Sequence, residues 1–154
     1  MGMAYINAEA RQELLDTVAE ATDELGVALA ALGEAYEQLD ERSADALEEQ
    51  LFRPVQAAYG RVKRTHADFA ARYGLPARTF EPGPRGLPST GVKGFLQVTV
   101  GALERAENIL VELQDSMSPV EVGDPQLRAG LAELRGILAD LSGRPQRFVS
   151  LFGR

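Results

Sequence analysis

His66 is the only histidine in these 154 residues, and so the one side chain whose ordinary pKa lies near neutrality. A lone imidazole cannot supply the paired Glu-x-x-His ligands of a di-iron bundle or a two-histidine zinc site. Its remaining chemistry is proton transfer or a hydrogen bond. Phe52, Tyr59, His66 and Tyr73 recur every seven residues, which places the imidazole in an apolar helical row. The expectation is a buried, metal-free histidine bonded to a tyrosine hydroxyl of that row.

Basic and hydroxyl residues flank it. Arg61, Lys63 and Arg64 precede His66, whereas Arg85, Ser89, Thr90 and Lys93 belong to a later Gly/Pro-rich stretch. Its sequence GLPSTGVK departs from the phosphate-loop pattern G-x-x-x-x-G-K-[ST] by an inserted valine, and no strand precedes it, so nucleotide binding by that route is excluded. What survives is simpler. Hydroxyls and free amides at a helix start beside a lysine can hold a phosphate or carboxylate. Arg61, Lys63, Arg64, His66, Arg85, Ser89, Thr90 and Lys93 are therefore the candidate ligand-binding set, for a small anion or an anionic polymer.

Charge distribution sharpens this. Residues 1–50 hold thirteen acids against Arg11 and Arg42, whereas residues 51–99 hold eight basic residues against Asp68 and Glu81. Adjacent helices of opposite sign can neutralise each other, and that internal pairing is the expectation here. The overall pI of about 4.8 and the absence of stacking aromatics beside the basic stripe disfavour nucleic acid. The helix 1 acids Glu13, Asp16, Glu20, Asp23 and Glu24 lie mostly outside the apolar seam, so neither a metal nor a cofactor is expected. There is no cysteine, which removes disulfide and thiolate chemistry. No serine, histidine and acid form a nucleophile setting, and an enzyme with a site near His66 is only a remote alternative.

The elements that must position these groups are legible from periodicity. Leu15, Thr22, Leu29 and Tyr36 interleave with Val18, Leu25, Leu32 and Leu39 to draw a long seam on a first helix over residues 8–40, capped by Asn7. Ser43 caps a second helix over 44–73, ended by Gly74, Leu75 and Pro76. Pro54 should kink it near Leu51, or split off residues 44–52. Four prolines, Pro76, Pro82, Pro84 and Pro88, stiffen a crossover between helices 2 and 3. A third helix over 91–117 carries Leu96, Leu103, Leu110 and Leu113, and Asp124-Pro125 starts a fourth over 125–142. The tail, 143–154, bears Phe148, Val149, Leu151 and Phe152.

These features predict one all-α domain, an antiparallel up-down-up-down four-helix bundle with a Pro/Gly-rich crossover between helices 2 and 3 and a short apolar tail. Arginine in large excess over lysine suggests a bacterial source. No apolar run is long enough to cross a bilayer and no secretory signal is evident, which points to the cytoplasm. The fourth helix covers only about 27 Å of a seam roughly 40–50 Å long. A second copy of the chain, with the tail residues Phe148, Val149, Leu151 and Phe152 at the interface, is expected to cover the remainder. The functional expectation is thus a non-enzymatic interaction or scaffolding protein forming a homodimer or other homo-oligomer, with a further protein partner open to it.

Overall fold

The computed structural model describes residues 2–83 and 91–152, with side chains from residue 6 onward. All regular secondary structure among them is helical: α1 (Gly2–Glu37), α2 (Glu41–Leu47), a π-helical turn (Glu48–Phe52), α3 (Arg53–Arg72), α4 (Gly91–Asp115), α5 (Ser118–Glu121), α6 (Pro125–Asp140) and α7 (Arg144–Phe152). The seven-residue rows find the core. Leu15, Val18, Thr22, Leu25, Leu29 and Leu32 of α1, Val55, Val62 and Phe69 of α3, Leu96, Leu103 and Leu110 of α4, and Leu127, Leu131, Leu134 and Leu138 of α6 are all buried. Thr22 and Thr99 enter that core by giving their hydroxyl protons to the carbonyls of Val18 (2.8 Å) and Phe95 (3.0 Å) one turn back.

Cross-helix contacts fix the directions. Tyr59 lies beside Gly26 and the Arg11 guanidinium lies 4.2 Å from the Tyr73 ring, so α1 and α3 are antiparallel. Arg105 bonds Glu24 and Gly91 lies beside Gln38, so α1 and α4 are antiparallel as well. Arg61 bonds Glu133 at 2.9 Å and Arg72 bonds Asp124, so α6 opposes α3. Hence α3 and α4 run the same way, and the order is up-down-down-up rather than the up-down-up-down expected from the sequence. The reason is the crossover. The chain leaves α3 near Arg11 and resumes in α4 near Gln38, roughly 40 Å along α1, a distance within the reach of the seventeen residues 74–90.

Helix boundaries follow local chemistry. Gly74 takes the left-handed conformation (φ +64°) and Leu75 N–H reaches back to the Ala70 carbonyl at 2.8 Å, closing the end of α3. Asp124 caps α6 by accepting from Leu127 N–H (2.8 Å), with Pro125 in the first turn. Two caps differ from expectation. Asn7 lies inside α1, which begins at Gly2, and Asp40 rather than Ser43 caps α2, accepting from both the amide (2.8 Å) and the hydroxyl (3.2 Å) of Ser43. Those two bonds hold the Asp40 carboxyl below its ordinary pKa.

Pro54 neither breaks nor splits the second helix. It has no N–H to give to Gln50, and in α register its ring would collide with that carbonyl. The helix widens by one residue instead: Arg53 N–H reaches Glu48 O, five residues back, making the π-helical turn. The Gln50 carbonyl, which Pro54 cannot satisfy, accepts from Arg144 Nη1 of α7 at 3.1 Å.

The tail is a helix, started by left-handed Gly143 (φ +84°) and by Pro145, which opens α7 rather than merely ending α6. It packs on α4 and against the π-helical turn, beyond the end of α6. Phe148 is buried there, Val149 and Phe152 pack on the core partly buried, and Leu151 is 70% exposed. The seam that the sequence left for a second copy is thus covered to a large extent within the chain. A nine-residue amphipathic helix suffices because it adds to α6 instead of standing alone.

Candidate functional site

α3 carries the candidate chemistry on two faces. Toward α6, Arg61 meets Glu133, and Arg72 forms a two-pronged bond to Asp124 through Nε (2.6 Å) and Nη2 (2.8 Å). The Tyr73 hydroxyl donates to the same carboxylate at 3.1 Å. Burial alone would raise the Asp124 pKa, but the bonds from Arg72, Leu127 N–H and Tyr73 outweigh it and hold the carboxyl below its usual range. Thr65 faces Gly130 so closely that a methyl group on Gly130 would lie 3.0 Å from Thr65 Cγ2 and nearer still to Oγ1. A cleft of about 310 Å³ opens along this face, lined by Arg61, Thr65, Asp68, Arg72, Gln126 and Ala129.

Toward α1, α3 lies under the crossover. Residues 75–83 run across the α1–α3 groove. Arg78 Nη2 donates to both oxygens of Asp23 (3.1 and 3.0 Å), and its guanidinium lies 4.6 Å from the centre of the Phe80 ring. Phe80 in turn meets His66 edge-on, with centroids 4.9 Å apart and ring planes at 85°. His66 is 3% exposed and its Nδ1 is buried without a hydrogen-bond partner among the described residues. The same holds for the Tyr59 hydroxyl, so the expected tyrosine partner for the histidine is not there. Two helical turns separate the two side chains, about 10 Å, which is beyond any direct bond. Burial and the Arg78 charge lower the His66 pKa against the opposing pull of Asp16. Burial, Asp23 and Glu81 raise that of Tyr59, with Arg78 opposing.

The described members of the candidate anion set do not converge. Arg61 is engaged by Glu133; Lys63 places its ammonium 4.7 Å from the Tyr59 ring centre; Arg64 is exposed; and His66 is sealed under Phe80. Lys93 is exposed at the start of α4, near Gln38, roughly 20 Å along the axis from the level of Arg61. Arg85, Ser89 and Thr90 lie outside the described residues. The internal charge pairing is present with partners other than those expected: Arg61 and Arg72 meet acids of α6, whereas Arg78 and Arg105 meet Asp23 and Glu24 of α1. Arg78 and Phe80 of the crossover were not singled out by sequence reasoning, since neither belongs to a periodic row. The cue available was the run of prolines around them.

Among the described residues no group of three His, Asp or Glu side chains converges to hold a metal ion. None of their helices is long and apolar enough to cross a membrane. At the other end of the molecule a groove of about 290 Å³ separates α2 from α7, lined by Ala46, Phe148, Leu151 and Phe152 and edged by Arg42 and Arg147. No protein-family model matches the chain, and no curated protein or solved structure shows significant similarity to it.

Proposed function

We propose that this chain is a non-enzymatic scaffolding protein, a four-helix bundle with antiparallel neighbours, that acts through protein contact and self-association. The observation that carries the reading is Leu151, a large apolar side chain 70% exposed at the edge of the α2–α7 groove. Apolar residues grouped around a concave surface mark contact sites more often than scattered ones do. A second copy is a suitable occupant because the groove is edged by Arg42 and Arg147, while exposed Glu9, Glu13 and Glu20 line the first helix. Sedimentation over a wide concentration range tests this. Leu151→Arg is expected to weaken association at least tenfold without lowering the melting temperature. A full-length protein that stays monomeric at high concentration, or association indifferent to that change, overturns the reading.

The alternative, a binding module for a small anion or anionic polymer, would use the cleft between α3 and α6. Its Arg61 and Arg72 already hold Glu133 and Asp124, so an incoming anion must displace a carboxylate to gain either guanidinium. That competition favours the scaffold.

A further inference from the structure

The crossover is fastened by one connected set of contacts. Asp23 of α1 holds Arg78, Arg78 stacks on Phe80, and Phe80 presses edge-on against buried His66 of α3. We propose that residues 75–83 form a pH-operated latch, in which protonation of His66 releases this strap from the α1–α3 groove.

The neutral imidazole tolerates its site, leaving buried Nδ1 unpartnered among the described residues. The imidazolium does not, since both nitrogens become donors and the charge loses its hydration. The charged groups around it do not reverse this. From α1, Asp16 favours the proton; from the strap, Arg78 opposes it, and burial adds to the opposition. Asp23 is engaged with Arg78, and Glu81 and Lys63 act at Tyr59. On the Thr65 side of α3, the α6 acids Glu133 and Asp124 are held by Arg61 and Arg72.

Lifting the strap removes Phe80 and Arg78 together, because the guanidinium lies on the ring, and it admits water to the imidazole. The open form therefore binds the proton more tightly than the closed form, and acidification shifts the population toward it. The closed state has its full advantage above the ordinary histidine pKa of about 6.5 and loses it as the pH falls below that value. One proton limits the effect to about tenfold in the opening equilibrium per pH unit. Ordinary carboxylates titrate nearer pH 4, so the interval between pH 6.5 and 5 isolates the histidine.

Nuclear Overhauser contacts from the Phe80 ring to α3, measured on the full chain, read the latch directly, since that ring lies edge-on to His66. Between pH 7.5 and 5 their intensity is expected to fall more than threefold while contacts within the core between α4 and α6 keep theirs. The His66 ring protons, followed by NMR in the same samples, should titrate below pH 6.5 in step with that loss. His66→Gln should flatten the response. Should that variant not fold, Arg78→Gln serves instead, and is expected to loosen the strap already at pH 7.5. Phe80 contacts that stay level across the range, a pH response retained by His66→Gln, or wild-type Phe80 contacts in Arg78→Gln would each overturn the latch.

Discussion

The two faces of α3 solve one problem in opposite ways. Facing α6, four side chains find partners, Arg61 in Glu133, Arg72 and Tyr73 in Asp124, and Thr65 in the Arg61 carbonyl at 2.9 Å, while Asp68 stays exposed in the cleft beside them. Facing the crossover, Tyr59 and His66 are similarly buried yet leave a hydroxyl and a ring nitrogen unpartnered among the described residues. The difference lies in what covers them. A second helix presents side chains at a regular pitch, so partners recur along the contact. An extended proline-rich segment offers few donors and a fixed course, so what it brings to each position is what its own sequence allows. One face is built to stay shut, and the other to be cheap to open.

The sharpest way to break this contrast is to disturb the closed face. Gly130→Ala forces a methyl group into Thr65, and is expected to cost about 1–3 kcal/mol in denaturant unfolding. Thr65→Ala in the same chain should restore much of the loss, because it clears the atoms that collide. A loss that Thr65→Ala fails to restore would mean that helix separation at this point is set elsewhere. Asp124→Ala comes next. It removes the α6 cap together with the acceptor for Arg72 and Tyr73, and about 2 kcal/mol is expected to go with it. Since the folded-state pKa of Asp124 is depressed, its contribution is complete above the ordinary carboxylate range and disappears as the pH falls through the folded value. The variant should therefore approach the wild type in stability under strong acid, which a pH series of melts will show. On the open face a smaller effect is expected. His66→Phe keeps the ring and discards the unpartnered nitrogen, so stability at pH 7.5 should change by no more than about 1 kcal/mol. A larger loss would show that the imidazole has a partner, and the contrast between the faces would fail.

The sequence was readable wherever spacing alone decides. Leu127, Leu131, Leu134, Leu138 and Leu141 can bury themselves in only one helical register, and Asp124-Pro125 and Gly74 carry helix ends in their own backbone preferences. Chain direction after the crossover was not readable, because a heptad seam looks the same from either end of the helix. The closeness of Thr65 to Gly130 was equally hidden, as it depends on the axial offset of two helices rather than on either sequence. Pro54 announced a disturbance but not its form, since a break, a kink and a widened turn all relieve the same collision. The basic stripe showed charge without partners. Whether Arg61 meets α1 or α6 is a matter of which helix lies on that side of α3.

The bond from Arg144 to the Gln50 carbonyl also has a consequence in time. During synthesis the second helix leaves the ribosome with a wide turn at its start and a carbonyl that Pro54 cannot satisfy. Its guanidinium partner lies 94 residues further on, which at translation speeds of about 5–20 residues per second is a delay on the order of five to twenty seconds. The second rod can be helical long before then. It is finished only when the seventh helix arrives, so the earliest irregularity in the chain is completed by one of its latest residues.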